Sequence, residues 1–136
     1  MDLMMTDMMK SMPTGAMPGM DMSMLQECIE ACSAASMAAT MCADADQGDD
    51  MGRCCSMCMN TADVADTMMR MMLRPMGYDA SAMSAMLGAC IAMGEACAAE
   101  CRMHADMHEH CRICAKACDA MVASCQSVMA SMGSMA

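Results

Sequence analysis

Apolar side chains recur along most of the chain at alternating steps of four and three. Residues 107–132 give the cleanest row, with Met107, Cys111, Cys114, Cys118, Met121, Cys125, Val128 and Met132 on one stripe of a helix. A second row is Met83, Leu87, Cys90, Gly94, Cys97, Cys101, His104 and His108. Met51, Cys55, Cys58, Ala62, Ala65, Met69 and Met72 make a third, and Leu25, Cys28, Cys32, Ala35, Ala39 and Cys42 a fourth. Polar residues punctuate the rows. Ser23 with Gln26 forms a capping box for a first helix running to about Ala45, and the acidic, Gly-containing stretch 46–50 is a loop. A second helix from about Met51 to Leu73 is stopped by Pro75 and Gly77. Asp79 or Ser81 caps a third helix reaching about His104, and Asp106 with Glu109 is a capping box opening a fourth that runs to about Ser131. Four stripes of similar length with short connections predict an all-α, up-down-up-down antiparallel four-helix bundle over 21–136. Residues 1–20, broken by Pro13, Gly15, Pro18 and Gly19, form a Met-rich N-terminal tail.

Composition changes what such a bundle is filled with. The 136 residues include 29 Met and 13 Cys but no Phe or Trp, and only four Leu, three Ile and three Val. Judged on its branched and aromatic residues alone, the chain would be disordered. Met, Ala and Cys must therefore fill the interior, and since Met and Ala are strong helix formers the result is a helical protein lined with sulfur. A net charge of −10 argues against nucleic acid or anionic lipid as a partner and for a cation. No run of eighteen apolar residues occurs and no basic-then-apolar leader is visible, so no membrane span is expected. The expected compartment is the cytoplasm; a mature exported chain with an initiator Met added is the alternative.

Cys28/Cys32, Cys54/Cys58, Cys97/Cys101 and Cys114/Cys118 are C-x-x-x-C pairs in helical surroundings. Residues four apart on a helix hold their Cβ atoms about 5–6 Å apart, whereas a disulfide needs about 3.5–4.5 Å. Such pairs suit one soft ion held between two sulfurs, and thirteen reduced thiols imply a reducing compartment or permanent metal occupancy. Thiolates and thioethers with little carboxylate favour Cu(I) over hard ions. Zinc is the competing ion, since C-x-x-C occurs at Cys55–Cys58 and Cys111–Cys114, yet both motifs fall in mid-helix instead of the usual turn. Antiparallel order gathers Met41, Cys42, Met51, Cys54, Cys55, Cys101, Met103, His104, Met107, His108 and Cys111 at one end of the bundle. Met68, Met69, Met72, Met83, Met86, Met129 and Met132 collect at the other, and core packing explains Met68, Met69, Met71, Met72, Met83 and Met86. The alternating Met20, Met22 and Met24 suit an exposed thioether clamp. His104 and His108 have zinc-protease spacing, but position 105 is Ala where a general base is required, and no E-x-x-H exists for a di-iron site. No enzyme activity is expected.

The four C-x-x-x-C segments, with the run His104-x-x-x-His108-x-His110-Cys111-Arg112-Ile113-Cys114-Ala115-Lys116-Ala117-Cys118 and then Cys125, resemble the bacterial copper storage proteins. The resemblance covers roughly residues 21–132 and implies a homotetramer of four-helix bundles whose core Cys bind many Cu(I) ions, with His and Met near an open end admitting them. Departures are the high Met content and Ala35, Ala39 and Ala120, at core or near-core positions where such chains can carry a further Cys. The expected ligands are Cys28, Cys32, Cys42, Cys54, Cys55, Cys58, Cys90, Cys97, Cys101, Cys111, Cys114, Cys118 and Cys125, with His104, His108, Met41, Met51, Met103 and Met107 assisting uptake. The alternative function is a zinc-binding or thiol redox-buffer module with few defined sites.

Overall fold

The computed structural model describes residues 3–12 and 20–133. Among them it contains five α-helices, one short 3₁₀ turn and no strand: α1 (Leu3–Ser11), α2 (Met22–Ala45), α3 (Gly52–Met72), the 3₁₀ turn Pro75–Gly77, α4 (Ala80–Arg102) and α5 (Glu109–Gly133).

Helix ends follow local chemistry, not always in the place expected. α2 is capped by Asp21, whose carboxylate accepts from the backbone N–H of Ser23 (2.9 Å) and Met24 (3.4 Å). The expected Ser23–Gln26 box does not form, because Gln26 is buried and donates to Thr6 Oγ1 (3.1 Å) and Glu30 Oε1 (3.3 Å). Asp79 caps α4 as expected, accepting from Ala82 N at 2.8 Å. The Asp106–Glu109 box is also absent. His104 O instead accepts from Met107 N (3.1 Å) and His108 N (2.9 Å), the chain turns, and α5 begins only at Glu109. Gly48, at φ 111°, supplies the left-handed step in the α2–α3 connection that a side chain would resist.

α2 packs against α3 and α5, and α4 packs against the same two helices. Contacts run in opposite sequence directions. Cys28 meets Cys125 while Cys42 meets Cys111, and Cys54 meets Cys101 while Thr61 meets Met93. α2/α5 and α3/α4 are therefore antiparallel pairs. The inward rows of α2, α4 and α5 match the sequence stripes, but that of α3 does not. Cys54, Cys58, Thr61, Ala65, Met68 and Met72 face inward, while Cys55 and Met69 are only half-buried. The true row also has steps of four and three, and it is hidden by Thr61, a polar residue at a core position. Its hydroxyl donates to Met57 O at 2.8 Å, which removes the cost of burial. Ala35 and Ala39 are fully buried, whereas Ala120 is exposed and lies outside the core.

α1 lies within the segment read as a tail. No Pro or Gly interrupts residues 3–12, so a run of Met and Leu can wind into helix, and Met5 and Met9, four apart, pack on the core beside α2. Met20 is buried as well, so it is not part of an exposed clamp. α4 is long and apolar enough to cross a membrane, with a mean hydropathy of 1.5 over its window. Its apolar row is instead buried against α3 and α5.

Candidate metal centre

Twelve of the thirteen cysteines are fully buried and all are free thiols; Cys55 is half-buried at the edge. The buried thiols come from all four long helices and approach both across helices and along them. Cys58 Sγ lies 3.8 Å from Cys97 and from Cys101 and 4.0 Å from Cys114, and Cys54 lies 4.0 Å from Cys101. A disulfide bond is about 2 Å long, so these are van der Waals contacts between thiols. Three sulfur-only groups result, each with all sulfurs within 4.8 Å of one another: Cys42/Cys54/Cys58/Cys101, Cys58/Cys97/Cys101/Cys114 and Cys28/Cys32/Cys125. Cys118 adjoins Cys97 and Cys114, and Cys90 adjoins Cys32 and Cys125. The first two groups share Cys58 and Cys101, so their sulfurs form one continuous array.

The fourth group, Cys42/Asp46/His110/Cys111, sits at the mouth. Asp46 ends α2: its backbone N–H donates to Cys42 O and Ala43 O, which turns the carboxylate back over the bundle. Oδ1 then lies 3.9 Å from both Cys42 and Cys111 and 3.7 Å from His110 Nδ1. Oδ2 is buried without a hydrogen-bond partner. An orphaned buried carboxylate oxygen beside two thiols and an imidazole is the donor arrangement a cation would complete.

Electrostatics inside the stack are those of crowded acids. Burial pushes the Asp46 carboxyl up. It also pushes the Cys111 thiol up to about 12, with the charge of Cys42 adding to it. Cys54 is raised further by burial and then by Asp46. Cys28 goes the other way, down to about 5, because Cys125 and Cys32 donate S–H bonds to its thiolate, and Cys32 is raised in return. One thiolate per group is thus easily held by its neighbours, and a second is resisted until a cation offsets the repulsion.

The expected uptake residues are distributed differently. Met51 is buried within the upper thiol region. Met41, Met103 and Met107 are 73%, 76% and 84% exposed, on the rim. His104 Nε2 lies 3.0 Å from Glu100 Oε2, and Glu100 also accepts from Arg53 Nε at 2.8 Å, so His104 is oriented by a carboxylate and not by a thiol. His108 is half-buried with its ring 5.3 Å from that of His110. His110 and Asp46 were not among the expected ligands. His110 lies off the α4 row because it belongs to α5, and its signal is its position directly before Cys111; that of Asp46 is its position four residues after Cys42.

The copper storage protein family matches residues 20–130 of the chain. Among solved structures, the copper storage protein Ccsp from Streptomyces lividans, loaded with 10 copper equivalents, is 36% identical with a TM-score of 0.88, over 93% of this chain and 98% of that one. A Streptomyces lividans protein described as a cytosolic copper storage protein, holding five coppers, is 39% identical with a TM-score of 0.77, over 79% and 93%. A variant of Ccsp with one histidine changed to alanine is 39% identical with a TM-score of 0.82, over 85% and 99%. No curated protein matches the chain.

Proposed function

The chain belongs to the copper storage protein family, and on that premise we propose that it stores many Cu(I) ions on Cys thiolates inside an up-down-up-down four-helix bundle. The observation that carries this is the sharing of sulfurs. Cys58 and Cys101 each belong to two four-thiol groups. Two bridging sulfurs among six also suit a pair of zinc ions; what zinc leaves unexplained is the extent of the array, twelve buried thiols in which Cys118 adjoins Cys97 and Cys114 and Cys90 adjoins Cys32 and Cys125. Cu(I) accepts few ligands and soft bridging sulfur, so a continuous array can take ion after ion.

Loading follows an order of affinity. Met41, Met103 and Met107 on the rim, with His104 and His108 behind them, offer neutral ligands that lose no proton and therefore bind weakly and quickly. Cys42, Cys111, His110 and Asp46 form the first site containing thiols, and the ion moves from there onto the array. Each thiol that ionises binds more tightly and releases a proton. Because empty thiols pack as small apolar groups, the bundle is folded before copper arrives.

The protein is placed in the cytosol, as its Streptomyces lividans relative is described. Storage requires no catalytic group. A homotetramer is what the family resemblance implies, and Met37, Met59 and Ile113 are exposed apolar side chains that association of bundles would cover. Native mass spectrometry of the reduced protein offered equal Cu(I) and Zn(II) tests the metal assignment. A ladder of copper-only species is expected; a single one- or two-zinc species contradicts it.

A further inference from the structure

The stack of thiols is interrupted. On α5 the thiols stop at Cys118 and resume at Cys125, and on α4 they stop at Cys97 and resume at Cys90. The step is seven residues, about 10 Å of helix, in each case. α3 contributes no thiol beyond Cys58. At this depth the interior is lined by small buried residues, Ala35, Ala62, Ala65 and Gly94. The buried core itself divides here. Cys28, Cys32, Cys90 and Cys125 belong to the deep part, and the other eight fully buried thiols to the part nearer the mouth.

Met121 occupies the break. It lies three residues from Cys118 and four from Cys125, so it is one turn from each, and it is fully buried. Its Sδ is 3.5 Å from Cys90 Sγ, closer than the 3.7 Å between Cys28 and Cys125. Gly94 makes the room: a Cβ there would stand 3.0 Å from Met121 Cε and 2.7 Å from Val122 Cγ2. Met68, Met72, Met83 and Met132 are buried beyond the last thiols. Among the described residues Met121 is the fully buried methionine lying between the two thiol sets.

We propose that Cys90 Sγ and Met121 Sδ form a Cu(I) site bridging the two sets, through which copper reaches Cys28, Cys32 and Cys125. The proposal rests on the storage function above. An ion held by one thiolate and one neutral thioether is bound less tightly than by two thiolates, which suits a relay. With soft metal–sulfur bonds taken as about 2.3 Å, the length of a zinc–sulfur bond, a two-coordinate ion needs sulfurs about 4.6 Å apart. The pair must open by about 1 Å, which an unbranched thioether achieves by rotation.

Met121→Leu keeps volume and apolarity while removing the sulfur. Both reduced proteins are mixed anaerobically with excess Cu(I), and thiols still free at each time are trapped by alkylation and located by peptide mass spectrometry. In the variant, the eight thiols near the mouth become protected at the wild-type rate. The four deep thiols follow at least about tenfold more slowly, the scale of loss when a ligand's support is removed. Equal protection rates for the deep thiols in both proteins overturn the proposal. A wild-type protein that takes up only a few ions overturns the storage reading instead. If the variant does not fold, the methyl resonance of Met121 in ¹³C-methionine-labelled wild-type protein decides: a shift during loading of the deep thiols supports the relay, and no shift through saturation overturns it.

Discussion

Cys42 on α2 and Cys111 on α5 face each other with their sulfurs 3.9 Å apart, and His110 Nδ1 stands 3.3 Å from the first and 3.6 Å from the second. Two thiols, an imidazole and the buried carboxylate of Asp46 thus converge at the point where the array of sulfurs meets solvent. A soft cation arriving there exchanges water for sulfur and nitrogen at once, and the next thiols inward are those of Cys54, Cys58 and Cys101.

His110→Ala slows copper uptake by at least about tenfold, the scale seen when a partner is lost from a metal site. It leaves final capacity nearly unchanged, because the inner sulfurs are intact. His104→Ala has a smaller effect on the rate, since His104 is turned toward Glu100. Stopped-flow absorbance under anaerobic conditions measures both, and equal slowing in the two variants contradicts the assignment of His110 to the mouth.

Asp46→Asn stabilises the metal-free protein at neutral pH. Burial raises the Asp46 carboxyl above its ordinary value of 3.8, so the folded chain holds a proton that the unfolded chain has lost as pH rises through the interval above that value. Stability then falls as pH rises through the interval and stays lower above it. Asn removes this loss, and below about pH 2.5 the two proteins should unfold alike because the carboxyl is protonated in both states. Urea unfolding of the reduced proteins at acid and neutral pH checks this; the same shift in midpoint at both pH values contradicts it.

Much of this was legible in the sequence because the thiols themselves mark the helical period. The rows Cys28–Cys42, Cys90–Cys101 and Cys111–Cys125 face inward as spaced, since Cys is both the expected ligand and a small apolar side chain, so packing and chemistry select the same face. The row of α3 was misread by one position where Thr61, satisfied by a backbone carbonyl, broke the apolar pattern. α1 was missed because a segment containing Pro13 and Pro18 reads as irregular throughout, although its first part is free of helix breakers. Asp46 and His110 were missed because each lies at a helix end. There a side chain's direction is set by the turn, Asp46 by its C-cap hydrogen bonds and His110 by the late start of α5, and not by the period of the helix.

Copper loading releases protons. Cys111 at about 12 and Cys54 above it are protonated in the empty protein at neutral pH, so each must shed a proton as it becomes a ligand. Adding Cu(I) to a weakly buffered solution therefore acidifies it, by more protons as loading proceeds inward. Retention against a fixed chelator weakens as pH is lowered. An indicator dye reads the first and a competition series the second; uptake without acidification contradicts thiolate ligation.

Gly94→Ala destabilises the empty bundle despite the better helix propensity of Ala. The new Cβ meets Val122 Cγ2 at 2.7 Å and Met121 Cε at 3.0 Å. Overpacking of this kind costs about 1–3 kcal/mol, against a propensity gain of about 0.5–1 kcal/mol. Thermal unfolding of the reduced protein should show a lower midpoint, by about 3 °C for each kcal/mol of net loss. A raised midpoint contradicts the close approach of α4 to α5 at this level.

If the mouth-side thiols form one extendable array and the Cys90–Met121 contact joins it to the deep thiols, copper capacity follows the number of thiols and not a few separate sites. An anaerobic titration of the fully reduced protein with Cu(I), against a coloured chelator and followed to saturation, tests it most directly. Roughly one ion per thiol or more, strongly retained, is expected. Saturation at about one to three ions, with the remaining thiols still titratable, would contradict it and mark a packed sulfur core with isolated metal sites.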